Sequence, residues 1–304
     1  MAWTDWVSRA RRRLSAETAP PPPPPEGPAA LSGSFEGPTF WGNVDTLKQS
    51  LVNHVLRGTT LISLGANLHL SLHTADPGGN GANETTVISR LAVARATTSW
   101  DAPASRATQN TSALTFSAPT GSATLTHVGC WDAASAGSFL FAAALTNSKQ
   151  VNNGDPGPQF PAGDFDLSFT GAWSSALADA VINWLLRGQA FLSLGADIFV
   201  SLHTANPGTT GANEVTGGNY ARASITRATA SWTAAGTGGA TENSVTVTFP
   251  APTANWGLVT HLGLWTAASG GTFLWGGSLT TARTINNGDP APSFASGAID
   301  LTLT

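Results

Sequence analysis

Two hydrophobic periods follow one another along the chain, and the succession occurs twice. Leu47, Leu51 and Val55 fall at i, i+4 and i+8, with Val44 and Val52 beside them, and Leu177, Val181 and Leu185 repeat that spacing. Apolar groups at this interval share one helix face, so each stretch is predicted to form one short amphipathic helix. The flanking residues agree. Asp45 can cap the first helix and Ser174 or Ser175 the second, and each stripe ends on a cation and a glycine, Arg57-Gly58 and Arg187-Gly188. Downstream the period falls to two. Leu68, Leu70 and Leu72 alternate with His69, Ser71 and His73, and Ile198, Val200 and Leu202 follow the same rhythm. Val245, Val247 and Phe249 alternate with threonine, and Ile299, Leu301 and Leu303 with Asp300, Thr302 and Thr304. Such strands, bounded by Gly, Pro, Asn and Asp clusters, predict antiparallel sheets of about six to eight strands behind each helix. The fold class expected is mainly β: two tandem jelly-roll-like antiparallel β-sandwich domains, each preceded by a short α-helix.

The duplication is also literal. SLHTADPGGNGANE at Ser71–Glu84 returns as SLHTANPGTTGANE at Ser201–Glu214, with eleven of fourteen positions identical. RATTSW at Arg95 returns as RATASW at Arg227, and Thr126–Leu140 returns at Thr260–Leu274 with ten of fifteen identical. VNNGDPGPQF at Val151 becomes INNGDPAPSF at Ile285. A unit of about 130 residues is longer than a solenoid repeat of roughly 20–50 and long enough to bury a core. The expected division is an arm over residues 1–43, a first unit over 44–171 and a second over 172–304.

Composition narrows the chemistry. Charged residues make up 11% of the 304, against about 25% in an ordinary domain. One cysteine, Cys130, rules out a disulfide framework and a cysteine-based zinc site. No apolar run approaches the roughly 18 residues of a membrane span. The balance of 14 basic and 18 acidic side chains leaves no basic footprint for nucleic acid.

Leu202-His203-Thr204, Asn206-Pro207-Gly208, Gly211, Glu214-Val215, Gly217, Tyr220 and Arg222, preceded by Leu186-Arg187-Gly188, resemble a signature of phage tail-fibre-like and minor tail proteins. The pattern runs LHT, then Asp or Asn with Pro-Gly, then Gly and Glu, then a glycine-rich turn and Y-x-R. The second unit carries it fully. The first departs after Glu84, where Thr85-Thr86-Val87-Ile88-Ser89-Arg90 lacks the glycine pair and the tyrosine. The resemblance implies a virion structural protein, in a tail fibre, a minor tail component or the capsid surface, and no catalytic residues. Two alternatives accompany it: a carbohydrate-binding adhesin module, and a capsid cement or decoration protein without receptor binding.

Residues with chemical potential have structural readings. Asp76-Pro77-Gly78 and Asn206-Pro207-Gly208 are turn sequences, as are the two NNGDP stretches carrying Asp155 and Asp289. Glu84 and Glu214 are expected to accept hydrogen bonds from loop amides. His73 with Asp76 and Glu84 has the makings of a metal or acid–base cluster. The aspartate becomes Asn206 in the copy, so a hydrogen-bonded strand histidine is the reading favoured. His127 and His261 sit in apolar strands and read as packing residues. One aspartate per NNGDP turn falls short of the six or more oxygens Ca²⁺ takes. Paired glycosidase carboxylates have no distinguishing spacing, and no nucleophile elbow, P-loop or Rossmann pattern occurs. Cys130 is replaced by Leu264, as suits a small buried hydrophobe. No catalytic residue, metal site or cofactor is therefore assigned.

Tryptophan and the arm hold what remains. Trp100/Trp232 and Trp131/Trp265 recur and read as core anchors. Trp184, Trp256 and Trp275, with Tyr220, occur in one copy only, so they are candidates for an interface with the sister unit or another subunit, or for glycan stacking. In the arm, Trp3, Trp6, Val7, Ala10 and Leu14 make one face of a helix whose remainder carries Arg9, Arg11, Arg12 and Arg13. Six prolines, Pro20 to Pro25, follow as a polyproline spacer of about 19 Å at ~3.1 Å per residue. No apolar core of the secretory kind follows the arginines. The arm reads as a particle anchor, through Trp3, Trp6, Val7, Ala10, Leu14, Arg9, Arg12 and Arg13. The partners expected are other virion proteins through residues 1–43, further copies of the chain in a homo-oligomer, and a host-surface glycan as an alternative. Removing residues 1–26 leaves 10 basic and 15 acidic side chains, so a cationic anchor precedes an acidic body.

Overall fold

In a computed structural model, residues 33–35, 45–169 and 173–302 are described. The chain is mainly β, with two tandem antiparallel sandwich domains and a helix before each. A short strand β1 (Gly33–Phe35) comes first. Repeat 1 then holds α1 (Asp45–Arg57), β2 (Asn67–His73), β3 (Leu91–Ala94), β4 (Ala107–Gln109), β5 (Leu114–Thr115), β6 (Ala123–Trp131), β7 (Phe139–Val151), β8 (Gln159–Phe160) and β9 (Phe165–Ser168). Repeat 2 matches it with α2 (Ser175–Arg187), β10 (Asp197–His203), β11 (Ala223–Thr226), β12 (Thr241–Glu242), β13 (Val247–Thr248), β14 (Gly257–Trp265), β15 (Phe273–Ile285), β16 (Ser293–Phe294) and β17 (Asp300–Leu301). Eight strands follow each helix among the described residues, within the expected range.

The main sheet of each repeat has four strands, ordered β3-β2-β6-β7 and β11-β10-β14-β15. Leu68, Leu70 and Leu72 are buried on one face of β2, and Ile198, Val200 and Leu202 on one face of β10, and the far ends of both strands are buried on the other face as well, at Ser71, His73, Ser201 and His203. Small sheets cover the other side of each core: β5-β8 and β1-β9-β4 in repeat 1, β13-β16 and β12-β17 in repeat 2. Of the predicted run at Val245–Phe249, only Val247–Thr248 pairs, and Val245 remains exposed.

The helices end as their sequences imply. Ser174 Oγ accepts the Leu177 N–H at 2.9 Å, and Gly188 takes φ 65°, returning its N–H to the Asn183 carbonyl. Asp45 does something else. Its carboxylate accepts the N–H of Gly238, 2.6 Å away in repeat 2. Asn53 Oδ1 accepts the Ala235 N–H at 3.0 Å, and Gln49 Nε2 donates to the Gly236 carbonyl. Reciprocally, Asp179 of α2 accepts the Arg106 N–H of repeat 1 at 3.1 Å. Each helix therefore starts beside the sheet of its own repeat and lies along a loop of the other. Trp173 bridges to Trp275 at the start of α2, and the Ser174 N–H donates to the Leu274 carbonyl. Buried apolar side chains of both repeats form one continuous cluster, with α1 contributing Leu47, Leu51, Val52, Val55 and Leu56.

Candidate functional site

The residues of the signature converge on one polar lock at the end of each main sheet. In repeat 2, β10 carries Ser201 and His203, both buried, on the face away from Leu202, paired with Gly263 and His261 of β14. His203 Nδ1 lies 2.7 Å from the Ala212 carbonyl, which can only accept, so this nitrogen bears the proton. Nε2 is then an acceptor, and Ser201 Oγ–H donates to it at 2.7 Å. Trp265 Nε1–H completes the relay by donating to Ser201 Oγ at 2.9 Å. Burial pushes the His203 imidazole below its ordinary value and keeps it neutral. Above the Trp265 ring, at 3.6 Å, lies the guanidinium of Arg222. Arg222 grips both oxygens of Glu214, at 2.8 and 2.7 Å, and donates through Nη1 to the carbonyls of Ala267 and Gly270. The expected loop-amide partners of the glutamate thus give way to a bidentate arginine fork, whose geometry matches a carboxylate better than scattered N–H groups do.

Glycines make room for the lock. A Cβ on Gly263 would stand 2.6 Å from Ser201 Oγ and 2.7 Å from His203 Nε2. One on Gly211 would stand 2.2 Å from the Trp265 ring, at a φ of +80°. The Asn206 side chain accepts the Gly208 N–H at 2.8 Å, and Asp76 accepts the Gly78 N–H at the same distance. An Asx turn needs only the shared oxygen, which is why aspartate and asparagine exchange here.

Repeat 1 builds the same lock: Trp131 to Ser71 at 2.9 Å, Ser71 to His73 at 2.7 Å, and His73 to the Ala82 carbonyl at 2.8 Å. Arg90 takes the place of Arg222, pairing with Glu84 at 2.8 Å and lying 3.8 Å over Trp131. The sequence departure after Glu84 therefore keeps the arginine and drops only the tyrosine and the glycine pair. Those extras stay inside repeat 2. Tyr220 OH donates to Glu214 and accepts the Leu202 N–H, and Trp256 Nε1 donates to the Gly218 carbonyl at 2.9 Å.

The histidines and serines of these locks are closed off from solvent. His73 and His203 are fully buried, and Ser71 and Ser201 spend their hydroxyls on histidine and tryptophan. Asp155 and Asp289 close their turns by accepting the N–H of Asn152 and Asn286. Cys130 is wholly buried, and burial pushes its thiol far up. Among the described residues no group of three or more His, Cys, Asp or Glu is arranged to hold a metal ion. Among them, too, no helix is long and apolar enough to cross a membrane. The aromatic candidates are placed as follows. Trp256 and Trp275 are buried within repeat 2, with Trp275 5.8 Å from Trp173. Trp184 is buried on α2 and packs edge-on against Phe191. Tyr220 is half-buried between Phe249 and Trp256. The arm candidates Trp3, Trp6, Val7, Arg9, Ala10, Arg12, Arg13 and Leu14 lie outside the described residues.

A second pair of sites joins the repeats. Arg227 of repeat 2 donates to the Val55 and His54 carbonyls at the end of α1, at 2.8 and 2.7 Å, and to Gly195 of its own repeat at 2.7 Å. Arg95 of repeat 1 donates to the Leu185 carbonyl at 2.8 Å and to that of Trp184, at the end of α2, and to Gly65 at 2.9 Å. The last carbonyls of a helix lack intrahelical partners and carry its negative dipole end, so a guanidinium fork suits both demands. The two copies of RAT[TA]SW signal these arginines as duplicated, but say nothing of their reaching across. The family model of the Podophage GP4 fiber I protein gp80 matches residues 42–168 and again residues 172–302. No curated protein matches the chain.

Proposed function

The chain belongs to the Podophage GP4 fiber I protein gp80 family, and on that premise we propose that it is a bacteriophage tail-fibre component. It attaches to the particle through residues 1–43 and presents two β-domains, 44–171 and 172–304, outward. Its work is structural rather than enzymatic, several copies share one particle, and the end far from the arm is the part that meets the host. The observation that carries this reading is the family match across both repeats. The polar clusters of the fold support it, since they are consumed in holding loops and helices together. The shared core and crossed helices suit a part that must transmit force without its domains separating. Phage assembled with a chain lacking residues 1–32 provides the test. Mass spectrometry of purified virions is expected to find the full chain and to lose the shortened one. Full incorporation of the shortened chain would refute attachment by the arm, and absence of the full chain from intact virions would refute the structural role.

A further inference from the structure

Among the described residues, one place in the fold is filled in repeat 1 and open in repeat 2. β1 pairs with β9 in parallel, Gly33 beside Phe165, Ser34 beside Asp166 and Phe35 beside Leu167, and its backbone also lies against β7. The resulting sheet has three strands, whereas its duplicate in repeat 2 stops at β12 and β17. Beside β17 and β15 runs a groove of about 340 Å³, bordered by Leu262, Leu279, Arg283, Phe294 and Asp300.

The residues around the two places correspond. Val128, Leu145, Lys149, Phe160 and Asp166 in repeat 1 stand where Leu262, Leu279, Arg283, Phe294 and Asp300 stand in repeat 2. Their burial differs. Val128, Leu145 and Phe160 are 1%, 7% and 0% exposed, and Leu167 is fully buried. Leu262, Leu279, Phe294 and Leu301, their counterparts, are only half-buried. The outer edge of β17 has no paired strand among the described residues, and an unpaired edge with apolar flanks is a template for an added strand.

Among the described residues, the chain supplies one such strand and two places for it. We propose that the groove beside β17 accepts an extended segment of another polypeptide. That segment adds parallel to β17 and has the chemistry of Gly33-Ser34-Phe35: small residues first, then a large apolar one at the Leu301 register. A further copy of this chain is a poor donor. Its own segment is held in cis, where a short connection to α1 gives an effective concentration on the order of millimolar. The donor is therefore a different protein, and that it belongs to the same particle rests on the fibre role above.

A peptide of residues 29–39 with cysteine at the Ser34 position serves as probe, added under thiol exchange to the full-length Asp300→Cys chain. Cys130, being buried, does not compete. The expected result is a one-to-one disulfide that forms at least tenfold faster than with Ser269→Cys, an exposed site away from the groove. Trapping should be lost when the peptide's Phe35 is replaced by Asp, a change that leaves the protein's folding untouched. Equal trapping at both cysteines would overturn the proposal, as would trapping at Asp166→Cys with none at Asp300→Cys. Rapid disulfide formation between full-length Ser34→Cys and Asp300→Cys chains would also overturn it, by making a second copy the donor. The peptide test needs no particle, so its failure is distinct from a failure of virion incorporation.

Discussion

Replacing Arg227 with Met removes the guanidinium that ties α1 to repeat 2 while keeping most of the side chain's apolar stem. Two strong bonds to α1 are lost, to Val55 at 2.8 Å and His54 at 2.7 Å. The bond to Gly195 in its own repeat goes with them, at 2.7 Å. A hydrogen bond from a charged donor contributes about 1.5–3 kcal/mol, so the pair on α1 would be worth roughly 3–6 kcal/mol if fully buried. Arg227 is only half-buried, and water can reach part of what it leaves, which halves the figure to about 1.5–3 kcal/mol. The assay is urea unfolding followed by tryptophan fluorescence, combined with hydrogen exchange resolved by segment. Arg227→Met should lower stability by about 1.5–3 kcal/mol and speed exchange in α1, which lies in the other repeat's sequence. Arg95→Met should do the same to α2. Arg227→Lys should recover only part of the loss, because one ammonium cannot span the fork's acceptors. A loss below about 0.5 kcal/mol, within the range of ordinary surface changes, would refute the crossing. So would faster exchange confined to repeat 2 itself.

Gly211→Ala places a Cβ 2.2 Å from the Trp265 ring at positive φ. It should cost about 2–4 kcal/mol from overpacking and backbone strain together. Gly208→Ala, also at positive φ but with nothing within 4 Å, should cost about 1 kcal/mol; equal losses in thermal melting would dismiss the ring contact as the cause. Burial lowers the imidazoles of His54, His69, His73 and His203 below their ordinary 6.5. The unfolded chain therefore binds protons first, and stability should fall as the pH drops from about 7 through that value toward the folded values. Urea midpoints that stay level or rise on acidification would contradict this. Cys130, fully buried, should resist a thiol reagent in the native protein and react once in high urea; fast native labelling would show the sheet to be open there.

Much of this protein is written in its sequence because much of it is local. Helix stripes, most of the strand alternation, the Ser174 cap and the Asx turns depend on neighbours a few positions apart and appear where their residues imply, with the start of the Val245–Phe249 run as the exception. The duplication itself is legible by inspection. So is the hydrogen-bonded strand histidine of the polar lock, although its serine and tryptophan partners and the partner of Glu214 are not. Arg222 lies eight positions beyond it, across a turn, and only the folded turn shows that a guanidinium reaches the carboxylate before any backbone amide does. Arg90 is hidden for the same reason, since the repeat signature breaks around it while its place in space is kept.

What a sequence of two matched halves cannot contain is which half a contact belongs to. Arg95 and Arg227 have near-identical surroundings, and so do the ends of α1 and α2. For these two arginines a pairing within the repeat thus has an equivalent across repeats that local sequence does not exclude. Tertiary structure breaks that tie, through the path each helix takes over the neighbouring loop and the single core it closes. Gly33–Phe35 is decided in the same way. One strand faces two similar edges and lies beside β9, while among the described residues the edge of β17 has none.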